Sequence, residues 1–195
     1  MKIAITGNIG SGKSTFSSFA EESGFPVLKA DDISKEILEN DLKVRSLVTK
    51  LFGDKCFKDG KPDKKFLAEK VFTDPDNLKK LELILHPRVI KSIEKSTKEL
   101  LKKYSAVFVE AALIYEADME DLFDHIVLIT ADKDNRLKRK VASGLSEDEF
   151  FKRESNQIPE EEKKKRADFI FSNDSTKEEL KLKFNLLLLT LGLNK

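Results

Sequence analysis

Cysteine occurs once in these 195 residues, at Cys56, so no disulfide can close within the chain and a crosslinked scaffold is excluded. Neither sign of charge dominates: 36 Lys and Arg stand against 35 Asp and Glu. A chain so balanced presents no global field toward nucleic acid or an anionic membrane, and any anion site must be local. No run of about 18 apolar residues is present, as a spanning helix would need. The opening "MKIAIT" is strand-like rather than a basic, apolar leader. These absences predict a cytoplasmic protein with no membrane and no nucleic-acid partner. Tryptophan is missing and methionine is scarce, while charged residues reach 36%, a balance that leans toward heat-adapted proteins.

What is present is enough apolar residue, 39% of the chain, to bury a real core. Short continuous apolar runs recur: "KIAIT" at 2–6, "FPVLKA" at 25–30, "AVFVEAALI" at 106–114, "HIVLIT" at 125–130 and "DFIFSN" at 168–173. Such runs suit strands covered on both faces of a parallel sheet, and the helical segments between most of them predict a doubly wound, three-layer α/β sandwich. The stretch 31–104 carries no strand pattern; it has amphipathic segments such as "LKVRSLVTKLF" and "KKFLAEKVF" and a turn-rich "KDGKPDK", and reads as a helical insertion. A second insertion, 132–166, is strongly charged and helical, and its "EEEKKKR" reads as solvated surface too polar to enter a core. "TKEELKLKFNLLLLTLG" predicts a closing amphipathic helix. No internal repeat and no long linker divides the chain.

"GNIGSGKSTF", directly after the first strand, matches G-x-x-x-x-G-K-[ST] through Gly7, Gly12, Lys13 and Ser14, and strand before with helix after is the confirming context. Glycines let the backbone curl until successive N–H groups face one hollow, and the helix start adds its positive dipole end. The loop is therefore expected to hold ATP through Gly7, Asn8, Gly10, Ser11, Gly12, Lys13, Ser14 and Thr15. Lys13 would reach the β- and γ-phosphates and Ser14 would ligate Mg²⁺. The bland alternative is a strand-to-helix turn that binds nothing.

The acceptor is a separate question. "ADDISKEIL" puts Asp31 and Asp32 after the second strand, at the carboxyl end where open α/β sheets keep their ligands. A phosphate acceptor needs no base, whereas an alcohol must lose a proton, so an aspartate here favours a hydroxyl acceptor. One of the pair would serve catalysis, with Asp31 the candidate, and Asp32 would cap the following helix. Glu110 either stands in for a metal-orienting strand-end acid or is a paired structural acid. Arg136 and Arg139 share a helix face, and their planar forks suit phosphate oxygens.

Taken together, "GNIGSGKST", "VLKADDIS", "LILHPRVIKSI", "LIYE" and "RLKRK…GLSEDEFFKRESNQIPEEEKKKRADFIFSN" resemble the dephospho-CoA kinase family over essentially the whole chain. The resemblance implies transfer of a phosphoryl group from ATP to the ribose 3′-hydroxyl of dephospho-CoA, the last step of coenzyme A synthesis. It also implies a P-loop fold with a nucleotide core (1–30, 105–131, 167–195), a helical CoA-binding lobe (31–104) and a mobile lid (132–166). By the same resemblance Asp31 is a base or metal-orienting acid, while Lys29 stands where the family often has an acid two residues earlier. His86, Glu116, Arg153 and Gln157 fall to the acceptor, Arg139 and Arg136 to the phosphates, and Asn173 to the adenine side. Ser143 replaces an arginine common in the family. Bland readings coexist: His86 and Pro87 as a helix start, Asn173 as a turn residue, the lid charges as solvated surface.

Other P-loop kinases, such as a nucleoside monophosphate kinase, form the runner-up reading, disfavoured by Asp31 and by the size of the helical insertion. A guanine-dependent switch would need an Asn-Lys-x-Asp motif, which the sequence does not contain. ATP and dephospho-CoA are the expected small-molecule partners, and a monomer is favoured with the oligomeric state open.

Overall fold

The computed structural model describes residues 1–193, apart from the side chains at positions 72, 73 and 75. It forms two compact units, one of Met1–Lys29 together with the chain from Ser96 onward, the other of Ala30–Lys95. In the first, β1 (Lys2–Thr6) buries Ile3, Ala4 and Ile5 completely, as a central strand must. The phosphate-loop motif leads into α1 (Lys13–Glu22), whose Phe16, Phe19 and Ala20 recur at helical spacing and face the core. The first segment ends with β2 (Val27–Lys29).

The second unit begins at once with α2 (Ala30–Asn40) and α3 (Leu42–Phe52). Asp41 caps α3 by accepting from the N–H groups of Lys43 at 2.8 Å and Val44 at 3.1 Å. A hairpin follows, β3 (Phe57–Lys58) paired with β4 (Lys61–Pro62), then α4 (Lys64–Thr73) and α5 (Pro75–Leu100). Val44, Val48, Cys56, Leu67 and Leu85 make this unit's own core. The expectation of no strand between 31 and 104 is therefore corrected. Asp59 and Gly60 both take positive φ, 50° and 78°, the backbone of a two-residue hairpin turn, for which Asp-Gly is a strong signal. Nor does a helix start at the His86–Pro87 step: Pro87 lies inside α5. The helical period runs unbroken on both sides of it, and the missing N–H forfeits one bond, to the Leu83 carbonyl.

Back in the first unit come β5 (Val107–Glu110), β6 (His125–Thr130), α6 (Lys133–Ala142), α7 (Glu147–Ser155), α8 (Glu160–Lys164), β7 (Phe169–Ser172) and α9 (Lys177–Thr190). The five strands form one wholly parallel sheet in the order β2-β5-β1-β6-β7. Every carboxyl end thus falls on one edge, and the chain changes direction about β1, where such sheets open a ligand crevice. In register, Glu110 lies beside Ile5 on one side and Lys29 on the other. Two expectations change. The strand expected over 106–114 stops at Glu110, and β7, an edge strand, leaves Ile170 44% exposed rather than covered on both faces.

One face of the sheet is sealed by α1 and α9 through phenylalanines. Phe184 is fully buried and packs edge-on to Phe16, with ring centroids 5.3 Å apart, and against Phe19 and Phe108 at 6.1 and 6.0 Å. The closing helix is less cleanly amphipathic than expected, since Leu182, Leu186 and Leu189 face solvent. Phe184→Ala should destabilise the fold by about 3–5 kcal/mol, the range for emptying a buried aromatic site. Urea unfolding followed by circular dichroism measures it; a loss under about 1 kcal/mol would mean that α9 does not depend on this ring.

Candidate active site

The three glycines of the loop after β1 have φ of 149°, 81° and 100° at Gly7, Gly10 and Gly12, a region side chains rarely enter. Space forbids a side chain as well. A Cβ would stand 2.2 Å from the Ile129 carbonyl oxygen at Gly7, 2.6 Å from that of Arg136 at Gly10, and 2.0 Å from Asn173 Nδ2 at Gly12. No side chain caps α1, so the N–H groups of its first turn are left for an anion.

Each outward carbonyl of the curl has a donor. Lys13 Nζ donates to Gly7 at 2.8 Å and Asn8 at 3.3 Å. Arg136 Nη1 donates to Ile9 at 3.2 Å and Arg139 Nη1 to Gly10 at 3.4 Å. Asn173 Nδ2 donates to Ser11 at 2.8 Å, and the Phe16 N–H closes on Gly12 at 3.0 Å. Asn173 is itself held, its N–H on the Thr130 carbonyl and its carbonyl accepting from Arg139 Nη2 at 2.5 Å. It is thus more than a turn residue.

Glu110 meets α1 with both oxygens: Oε1 accepts from Ser14 Oγ at 2.7 Å and Oε2 from Ser17 Oγ at 2.6 Å. Ser14 Oγ and this carboxylate are hard oxygen donors side by side at the helix start, the donor type Mg²⁺ prefers. Among the described residues no cluster of three or more His, Cys, Asp or Glu is positioned for a metal. A magnesium ion here would therefore take most of its ligands from phosphate and water, as is usual for it.

The charged stretch 132–166 does not stay out of the core, contrary to expectation. Arg136 is 5% exposed and is engaged on every side: Nε donates to the Ala131 carbonyl at 3.0 Å, Nη2 meets Glu154 Oε1 at 2.5 Å, and the guanidinium lies over Phe150. Burial works against the charge of Glu154, but hydrogen bonds from Arg136 and Lys133 outweigh it and bring the carboxyl below its ordinary range. Asp174 is likewise lowered, burial opposed by bonds from Asn135 and the Asp132 N–H. Gln157 Oε1 accepts from the Ile9 N–H at 2.8 Å. Lys163, within the supposedly solvated "EEEKKKR", is 0% exposed and pairs with Glu116 Oε1 at 2.8 Å. The Tyr115 hydroxyl is buried without a hydrogen-bond partner, and burial, with the Glu120 charge, pushes it up to about 12.

Asp31 and Asp32 are exposed in the first turn of α2. That helix starts at Ala30, so Asp32 does not cap it as expected and instead pairs with Lys35 at 2.7 Å. His86 is half-buried in α5, and Arg153 is exposed on α7. Lys29 pairs with Glu21 at 3.0 Å. Asn8 and Ser11 are buried in the loop, while Thr15 sits in the first turn of α1. Glu154, Asp174, Ser17 and Lys163 carried no motif signal, because their partners are remote in sequence.

A wholly parallel sheet, a glycine loop at the topological switch point and a lysine, serine and acid converging there define a P-loop phosphotransferase. The dephospho-CoA kinase family matches residues 1–179 of this chain. A dephospho-CoA kinase of Thermus thermophilus is 38% identical over 179 residues, covering 91% of this chain and 85% of the relative. Among solved structures, TT1252 from Thermus thermophilus superposes with a TM-score of 0.84 at 35% identity, covering 100% of this chain and 98% of its own. The dephospho-CoA kinase from Campylobacter jejuni gives 0.73 at 32%, covering 98% of each chain. The chain belongs to the dephospho-CoA kinase family.

Gly12→Ala should destabilise the protein without any ligand by on the order of 2 kcal/mol or more, since φ and the contact with Asn173 both oppose a Cβ. Because Asn173→Gly also removes the hydrogen bond to Ser11, adding it to Gly12→Ala should recover the steric share relative to Asn173→Gly alone and leave the backbone share. Denaturant midpoints of the parent, both single variants and the double variant decide, and an unshifted Gly12→Ala midpoint would show that the loop relaxes freely.

Proposed function

We propose that this chain transfers the γ-phosphoryl group of ATP to the ribose 3′-hydroxyl of dephospho-CoA, giving coenzyme A and ADP. The observation that carries the reading is the convergence of the curled loop, Lys13 and the Ser14–Glu110 pair at the carboxyl edge of the sheet in a chain of this family. Phosphoryl transfer asks a protein chiefly for positioning and for positive charge around the moving group. The loop amides and Lys13 supply both. Lys13 has only to swing from its own loop's carbonyls to the phosphates. Bound Mg²⁺ would offset phosphate charge, held on the protein side by Ser14 Oγ with Glu110 beside it.

Asp31 follows the end of β2 by two residues and is exposed, which suits a base that takes the acceptor hydroxyl's proton. Arg139 donates to the carbonyl of Gly10 in the loop and to that of Asn173 after β7, a position beside the loop that suits its planar fork to the transferring oxygens. The buried, fully engaged geometry of Arg136 and the Ile9 contact of Gln157 support bracing roles for these two rather than contact with ATP or the acceptor. His86 and Arg153 are, by the family resemblance, each a candidate for contact with the acceptor. Among the described residues no helix is long and apolar enough to cross a membrane.

The direct test incubates the protein with ATP, Mg²⁺ and dephospho-CoA and looks by mass spectrometry for a product one phosphoryl group heavier. A panel of nucleoside monophosphates serves as the comparison, and preferential turnover of one of those would overturn the reading. Lys13→Ala should lower turnover on the order of 10²-fold or more, about 3 kcal/mol of transition-state stabilisation, with an unchanged circular dichroism spectrum. Asp31→Asn should cut kcat strongly while leaving the ATP dissociation constant as it was, because the amide keeps the shape and loses the basicity. Normal turnover by Asp31→Asn would remove it from the reaction.

A further inference from the structure

The Ile9 peptide, at the apex of the phosphate loop, is held at both of its polar groups by side chains more than a hundred residues away. Gln157 Oε1 accepts from its N–H at 2.8 Å, and Arg136 Nη1 donates to its carbonyl at 3.2 Å. Arg136 is fixed by Ala131 and Glu154. Gln157 is held less firmly: its Nε2 donates to the Ala112 carbonyl at 3.5 Å, a long bond. It follows α7 in the short link to α8, where no regular ladder orients it.

That link is held at Gln157 itself, whose N–H donates to the Glu154 carbonyl at 3.0 Å, and again at its next residue. The Ile158 N–H donates to Glu116 Oε1 at 2.8 Å, and the same oxygen meets the Lys163 ammonium at 2.8 Å. Lys163 is wholly buried and lies on α8, whose continuation is tied to the sheet: the Asp168 N–H donates to the Ile126 carbonyl at 3.0 Å and Asp168 Oδ2 accepts the Ile126 N–H at 2.7 Å. A buried lysine–carboxylate pair is an expensive choice for packing alone, since an apolar pair of like volume would do as well or better. Its position points to what the pair aligns.

We propose that Lys163 is a positioning residue for ATP binding, acting through Glu116 and the 157–158 backbone to set the Gln157 carboxamide on the Ile9 amide and so hold the phosphate loop in its receptive curl. The ammonium holds one carboxylate oxygen by charge, as an ion pair without hydrogen-bond geometry, that oxygen accepts the Ile158 N–H, and the adjoining Gln157 is thereby aimed. The proposal rests on the loop being the ATP site.

The test is a double-mutant cycle on the ATP dissociation constant, measured by direct titration without acceptor, using Lys163→Met, Gln157→Leu and both together. Each single change should weaken ATP binding about three- to ten-fold, the scale of one hydrogen bond. The double variant should bind no more weakly than the weaker single one. Thermal unfolding separates this from mere destabilisation, because Lys163→Met, which leaves a buried carboxylate unpaired, should melt well below Gln157→Leu, which loses one hydrogen bond, although both lose affinity alike. If Lys163→Met does not fold, Lys163→Met/Glu116→Gln replaces it in the cycle, leaving no unpaired buried charge, and the same criterion applies. Multiplied losses in the double variant, or parental ATP affinity in folded Lys163→Met, overturn the proposal. Failure of the parent chain to bind ATP removes the ATP site and this inference with it, whereas a binding parent with multiplied losses removes the inference alone.

Discussion

A phosphate loop turns its N–H groups toward one hollow, which obliges its carbonyls to face outward, and in a compact protein those carbonyls need donors of their own. Here six consecutive carbonyls, from Gly7 to Gly12, are all taken up: by Lys13, Arg136, Arg139, Asn173 and the backbone of α1. Much of the rest of the first unit follows from that requirement. The ends of β6 and β7 supply anchor points, and α6 brings two arginines within reach of the loop. Gly12 has no room for a side chain because its neighbouring donor, Asn173, stands so close, while Gly7 and Gly10 are crowded by the backbone carbonyls of Ile129 and Arg136.

The same requirement explains why so polar a segment as 132–166 contributes buried groups. Arginine can place several N–H donors in one plane with its charge answered by a carboxylate, and Arg136 does this with Glu154. A buried charge without such an answer would cost several kcal/mol. Phe150, fully buried beneath Arg136, supplies the apolar contact that lets α7 pack onto α6. The segment resembles a lid in composition, and in its contacts it is also the outer wall of the loop.

Glu110 illustrates how one residue can be structural and chemical together. By holding Ser14 and Ser17 it fixes the first turns of α1 against β5, and it thereby settles where the serine oxygen sits relative to the loop amides. A kinase needs that spacing before the nucleotide arrives, because electrostatic stabilisation is effective only if the donors need not reorganise during transfer.

Local signals in the sequence were sufficient for most of the elements and for the phosphate-loop motif. Glycine spacing with Lys13 and Ser14, apolar runs for the sheet and helical periodicity for α1 and α3 act over a few residues, and each survives folding. The hairpin at Asp59–Gly60 was equally local and went unread because its strands are only two residues long. Pro87 misled, since a proline suits a helix start but an established helical period can carry across it. What the tertiary structure alone decided is the fate of the charges. Nothing near Lys163 marks it as buried among neighbours that are solvated, and nothing near Arg136 distinguishes it from Arg139. Their partners are set by the order β2-β5-β1-β6-β7, which brings Asn173 to Ser11 across 162 positions and Ser17 to Glu110 across 93. A sequence carries the donors and acceptors; which of them meet depends on how the sheet stacks its strands.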